Sequence, residues 1–174
     1  MDLLELFRTR RSIRTYTGEA IPAEAIDKIL KAGLLSPSGR SRKPWEFIVV
    51  RDKAMLTTLS KSRIGGAGML AGADCAIIVI ADPEKTDVWT EDCSIAMANM
   101  HIMAHSLGIG SCWIQGRLRD ASEGLSTEDY IRKELGFPES YKLEAILSLG
   151  IPDASPEAYS LDSLLTEKIH IEKW

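Results

Sequence analysis

Residues 8–16, RTRRSIRTY, place four arginines (Arg8, Arg10, Arg11 and Arg14), a serine and a tyrosine within nine positions. Each guanidinium is a planar fork of donors that matches phosphate oxygens in pairs. The Ser12 hydroxyl adds a small donor for the same kind of group. The turn before this stretch carries Leu3, Leu4, Leu6 and Phe7 at helical spacing, with Asp2 at the N-cap position, which predicts a first helix from Leu3 to about Arg8 anchored on a core. The stretch is therefore a candidate anion site held at the end of a helix. A basic helix end facing solvent, with arginines complementing the C-terminal dipole, is the alternative.

Outward from it, the chain alternates helices and strands. Pro22 opens a second helix whose apolar positions are Ile26, Ile29, Leu30, Leu34 and Leu35. Ser36 to Pro44, SPSGRSRKP, is a polar loop bounded by prolines, and Glu46 to Arg51 follows as a strand. Lys53 to Lys61 is a short helix. Cys75 to Ala81, CAIIVIA, is apolar on both faces, the mark of a central strand. Val88 to Leu107 is a long helix, apolar around most of its girth, which predicts burial or a subunit interface; Gly108 and Gly110 end it. Ser111 to Gln115 is a short buried strand. Ser126 to Leu135 is a helix with Ser126 as N-cap, Asp129 at the third position and Gly136 beyond its end, and Leu143 to Leu149 is the last strand. No clean βαβ unit repeats, so the fold class is α+β, a small mixed or antiparallel sheet flanked by helices in one domain over residues 1–174.

Composition narrows function. Apolar residues make up 45% of the 174 and charged residues 26%, ordinary for a globular protein, and 21 Lys and Arg against 25 Asp and Glu give a net charge of −4. That balance argues against nucleic acid and anionic membranes as partners. No apolar run has membrane-spanning length and no signal peptide precedes the first helix, so a cytoplasmic location is expected. Three widely spaced cysteines, Cys75, Cys93 and Cys112, suit buried thiols rather than disulfides or a metal.

Familiar motifs fail on inspection. Gly65 to Gly68 lacks the Gly-Lys-Ser/Thr ending of a phosphate loop, and Gly108-Ile109-Gly110 precedes a strand and lacks the third glycine of a dinucleotide fingerprint. His101 and His105 have zinc-helix spacing, but Ile102 stands where the general-base glutamate of HExxH belongs; no metal site is expected. No side chain stands out as a catalytic nucleophile, acid or base, which points to a borrowed and anionic cofactor.

Three blocks then occur in order: RRSIRTY near the N-terminus, SPSGRSRKPWEFIVV at Ser36 to Val50, and Trp89, Asp92 and Ala96-Met97-Ala98-Asn99-Met100 leading into LGIGSCWI at Leu107 to Ile114. The chain resembles the FMN-dependent nitroreductase family, as a compact member, from about Leu3 to Ile151. The resemblance implies that Arg10, Arg11 and Ser12 hold the FMN phosphate and ribityl chain, with Arg14 near the pyrimidine edge. Pro37, Ser38, Gly39 and Ser41 match a loop that reaches the FMN of the neighbouring subunit. Ile114, Gln115 and Gly116 match a turn whose N–H groups address N5 and O4 of the flavin. It further implies a homodimer with FMN at the interface and a C-terminal tail, residues 161–174, swapped onto the partner. The alternation of Lys168 to Trp174 suits an edge strand there.

The sequence departs from the family at Ser41, Lys43 and Gln115, and the link Asp153 to Ser160 has no Lys or Arg where many members carry a basic pair. The short link Asp82 to Asp87 leaves no room for a lid, which implies an open pocket. The expected function is an FMN-dependent oxidoreductase taking electrons from NAD(P)H to small electron-poor acceptors such as nitroaromatics or quinones. The alternatives are a flavin reductase or dehydrogenase with a dedicated substrate, an FMN storage or sensing module, and a flavin-free structural dimer.

Overall fold

Strand Cys75–Ala81 (β2) is buried along its whole length because both its neighbours and both its faces are covered. The computed structural model describes residues 2–174. Its main sheet runs in the order β1 (Trp45–Val50), β2, β6 (Lys142–Gly150) and β3 (Gly110–Gln115), and every pairing is antiparallel. Side chains of a strand alternate between faces, so β2 feeds two cores. Cys75, Ile77, Val79 and Ala81 meet helix α2 (Ala23–Leu34) and helix α4 (Trp89–Ser106) through Ile26, Ile29, Met97 and Met100. Ala76, Ile78 and Ile80 meet Leu56 and Leu59 of α3 (Lys53–Leu59) and Ile131 of α5 (Thr127–Leu135). The result is three layers, helices on both sides of a small sheet.

Up to β6, the expected helices and strands occur with ends no more than two residues from their expected positions. Ser126 caps α5, accepting from the Asp129 N–H at 3.0 Å, and Gly136 closes that helix with φ 73°, a left-handed turn that favours glycine. Asp2 stands at the N-cap of α1 (Leu3–Thr9), but its side chain makes no cap hydrogen bond. The three thiols are buried and unpaired, and burial pushes those of Cys75 and Cys93 up to about 12.

Two features differ from expectation. A short hairpin, β4 (Asp120–Ser122) with β5 (Leu125–Ser126), leads into α5 where no strand was expected. The tail, expected as an edge strand on a partner's sheet, makes no strand within the single chain: it forms two 3₁₀ turns, Leu161–Ser163 and Thr166–Lys168, and residues 153–174 are exposed throughout. Strand geometry needs a ladder partner, and neither edge of the chain's own sheet receives the tail.

The arginine-rich stretch is laid across the ends of β3 and β6. Ser12 bridges to Ser111, with the Ile13 N–H on Ser111 O at 2.9 Å, and Tyr16 bridges to Pro152. The Tyr16 hydroxyl donates to Ile13 O at 2.9 Å and pairs with Ser148 Oγ at 2.8 Å. Gly110 and Gly150 permit this close approach. A Cβ at Gly110 would lie 2.9 Å from Ile13, and one at Gly150 would collide with the Tyr16 ring.

Candidate functional site

Helix α1 ends at Thr9, and Arg10 turns to extended backbone with φ −63° and ψ 123°. From there, successive side chains point to opposite sides. Thr9, Arg11 and Ile13 line a cleft of about 230 Å³ with His105, Ser111 and Pro152. Arg10 instead reaches His101 on α4, its Nη1 lying 3.0 Å from Nε2. A guanidinium only donates, so Nε2 accepts, the proton sits on Nδ1, and Nδ1 donates to Ser111 Oγ. Burial, followed by the charges of Arg10 and His105, brings His101 down to about 4, so the ring is neutral at physiological pH. His105 pairs with Thr9 Oγ1 at 2.9 Å. The two histidines that share zinc-helix spacing thus serve the N-terminal segment.

The remaining arginines divide by task. Arg8 forks onto Glu5 at 2.6 and 2.7 Å. Arg11 donates to Glu157 O and stacks on the Tyr159 ring, 4.4 Å from its centroid. The link that lacks basic residues therefore folds back onto this segment and occupies Arg11. Arg14 is exposed and makes no ion pair or hydrogen bond among the described residues. Arg10, Ser12 and Arg14 share one side of the extended segment, and Arg11 faces the other.

The loop at residues 36–44 is held from beneath. Asn99 Nδ2 donates to Ser36 Oγ at 2.8 Å, the Gly39 N–H to Asp92 Oδ1 at 2.8 Å, and the Lys43 N–H to Ser38 Oγ at 2.9 Å. Arg40, Ser41 and Lys43 take φ values of 50°, 56° and 47°, a left-handed region that costs a residue with a Cβ about 1–2 kcal/mol. The loop exposes Pro37 and Ser41, with Ser38 and Gly39 half-buried beneath them.

The turn after β3 is pinned by Glu144. Its carbonyl accepts from the N–H groups of Gly116 at 3.2 Å and Arg117 at 2.9 Å, and from Gln115 Nε2 at 3.4 Å. The Gly116 N–H is therefore engaged within the chain. An antiparallel ladder alternates its outward groups, so the N–H groups of Trp113 and Gln115 face the open edge of β3, on the side where Ser111 O receives Ile13. Ile114 is fully buried and serves as core.

Glu144 is a residue the sequence reading missed. The β2–β6 register passes from Val79↔Ala145 to Ile80↔Leu143, leaving Glu144 as the extra residue of a β-bulge. It is 5% exposed; Oε1 takes Ser94 Oγ at 3.4 Å and Oε2 has no partner among the described residues. Burial raises its pKa above the usual carboxylate range, against the opposing pull of Arg117 and of hydrogen bonds from Ser94 and Gln115. The folded protein thus holds this proton more tightly than the unfolded chain, and the linked stability falls as pH rises above the ordinary carboxylate pKa. Glu144→Gln is expected to stabilise the fold by about 1 kcal/mol at neutral pH, with the gain vanishing in acid. Thermal unfolding of both proteins between pH 4 and 8 measures this, and a melting-temperature difference independent of pH would contradict it.

Comparison with known proteins bears on this arrangement. A model of the nitroreductase family matches residues 7–67 and 57–151. The chain belongs to the nitroreductase family. A protein of Archaeoglobus fulgidus, provisionally named NADH dehydrogenase/NAD(P)H nitroreductase, is 40% identical over 178 residues, covering 99% of each chain. The solved structure of an FMN-dependent nitroreductase from Clostridium difficile R20291 superposes with a TM-score of 0.97 at 44% identity, covering 99% of this chain and 100% of that one. A provisionally named nitroreductase from Desulfovibrio desulfuricans, solved in complex with FMN, gives a TM-score of 0.80 at 28% identity over 100% of this chain and 98% of that one. The nitroreductase fold expected from the three sequence blocks is thus the fold observed.

Proposed function

We propose that the protein is an NAD(P)H-dependent FMN oxidoreductase acting on small electron-poor acceptors such as nitroaromatics or quinones. The observation that carries this reading is the alignment of Arg10, Ser12 and Arg14 on one side of an extended segment beside the open edge of β3, whose last outward N–H is that of Gln115. That donor set fits FMN: guanidinium and hydroxyl donors suit a phosphate, and an outward N–H on a strand edge suits the hydrogen-bonding rim of a flavin. FMN, when bound, would supply the redox chemistry, hydride transfer between NAD(P)H and the acceptor. The chain's own residues bind and orient. Arg10 and Ser12 serve the phosphate and ribityl chain, Arg14 stabilises negative charge at the pyrimidine edge, and Gln115 serves the ring. Arg11, tied to Glu157 and Tyr159, contributes less than its neighbours.

The loop Pro37, Ser38, Gly39 and Ser41 completes the site of a second copy in this proposal. Leu3, Leu4 and Phe7 of α1, Leu34 at the end of α2 with Leu35 beyond it, and Ile95 of α4 are exposed apolar side chains, which supports a homodimer with FMN at its interface. Among the described residues no helix is long and apolar enough to cross a membrane. The proposed location is the cytoplasm.

Two measurements test the reading. Purified protein is expected to show a flavin absorbance spectrum and to release FMN, not FAD, on denaturation. Reconstituted protein is expected to oxidise NAD(P)H anaerobically when a quinone is added. Release of FAD, or no flavin uptake, refutes the cofactor. FMN binding without turnover supports a storage or sensing module, which the absence of Lys and Arg from residues 153–160 favours as the second reading.

A further inference from the structure

Among the described residues, Arg10 is the only arginine of the N-terminal stretch whose head meets a neutral, buried side chain. Its Nη1 lies 3.0 Å from His101 Nε2, and the opposite ring nitrogen is fixed on Ser111 Oγ. Ser111 also bridges to Ser12, so the imidazole closes a circuit between α4, β3 and the extended segment. His101 is 9% exposed, and its element neighbour one turn on, His105, is committed to Thr9. A carboxylate in the place of His101 would neutralise Arg10 and compete with an anion for it. A neutral acceptor holds one guanidinium nitrogen, leaves the positive charge uncompensated and keeps the other donors available. An arginine side chain otherwise loses much rotamer freedom when it engages a ligand, and holding it in place beforehand removes part of that cost.

We infer that His101 is a positioning residue that presents Arg10 to the FMN phosphate through its Nδ1–H tautomer. This rests on the FMN reading above. His101 acts through Arg10 and touches no reacting atom.

Two substitutions separate the two ring nitrogens. Asparagine approximates Nδ1 and keeps a partner for Ser111 but falls short of Arg10. Glutamine extends to the position of Nε2 and offers Arg10 an acceptor. The experiment measures FMN dissociation constants by fluorescence titration for wild type, H101N, H101Q, R10A and the double variant R10A/H101N, with folding checked by thermal unfolding. H101N is expected to bind about tenfold more weakly, the scale of one lost hydrogen bond to a charged group, and H101Q within about threefold of wild type. In the R10A background, H101N is expected to add less than about twofold, because the partner through which it acts is gone. An equal loss in both backgrounds, or an H101N that binds like wild type, overturns the role of His101 while leaving the cofactor reading intact. A wild type that takes up no FMN overturns the cofactor reading, and the role of His101 with it. Imidazole nitrogen resonances of the flavin-free protein supply a second readout: the Nδ1–H tautomer is expected for His101 in wild type, and an Nε2–H tautomer there refutes the geometry.

Discussion

Arg10→Ala is expected to weaken FMN binding by about 1.5–3 kcal/mol, roughly ten- to 150-fold, because a charge-assisted hydrogen bond to phosphate is lost. Arg14→Ala is expected to retain more of the affinity and to lower the midpoint potential of the bound flavin. The distinction follows from what each side chain meets. Arg10 is anchored on His101 at the end of α1, beside the segment that crosses β3. Arg14 is exposed, four residues further along, without an ion-pair partner among the described residues to dilute its charge. In the proposed site its charge lies near the pyrimidine edge, where reduction adds negative charge, and its removal disfavours the reduced state. Equilibrium titration of FMN and potentiometry on the two variants check the division. Affinities and potentials that move together in both would show that the two arginines share one task.

The local readings succeeded where the physics is local. CAIIVIA at Cys75 to Ala81 reads as a strand covered on both faces from its short apolar, β-branched run, and Ser126 with Gly136 bracketed α5 because capping chemistry is decided within a few residues. Contacts between distant residues were beyond such reading. Nothing in the spacing of Arg10 and His101, 91 positions apart, announces that they meet; the helix face of α4 has to be folded against β3 first. Periodicity could have flagged Asp92, a carboxylate among the buried positions of an apolar helix, and the structure gives it the Gly39 N–H. Glu144 carries a weaker signal, a charge inside an apolar strand, and its burial depends on a bulge that no pattern of residues 142–150 displays. Arg11 looked equivalent to Arg10 in sequence. Extended backbone turns neighbouring side chains to opposite sides, and the returning link at Glu157 and Tyr159 then engages one of them.

If the proposed homodimer forms with its tail swapped, deleting residues 161–174 is expected to weaken dimerisation by about 3–6 kcal/mol, at least a hundredfold in dissociation constant, and to lower occupancy of the proposed FMN site with it. Leu161, Leu164, Leu165, Ile169, Ile171 and Trp174 are between 49% and 100% exposed in the single chain. Burying a large apolar side chain contributes about 1.5–3 kcal/mol, and the figure for dimerisation counts only two such side chains in full, which leaves room for the cost of ordering the tail. Among the described residues nothing covers these side chains, and the sheet ends at β1 and β3 without receiving them. Tyr159 N–H is bonded to Arg8 O at 3.0 Å, so the chain leaves for the tail from the end of α1, the helix that also carries the exposed Leu4 and Phe7. Docked on the partner's sheet edge, the alternating residues 168–174 would gain the ladder they lack alone, and the swap would be reciprocal in a two-fold dimer. Sedimentation across a concentration series, with flavin absorbance followed in the same cell, measures both consequences. A truncated chain that stays a tight dimer with undiminished FMN affinity would place the tail outside the interface, and the exposed apolar residues of α1 and α2 would then have to hold the two copies together without it.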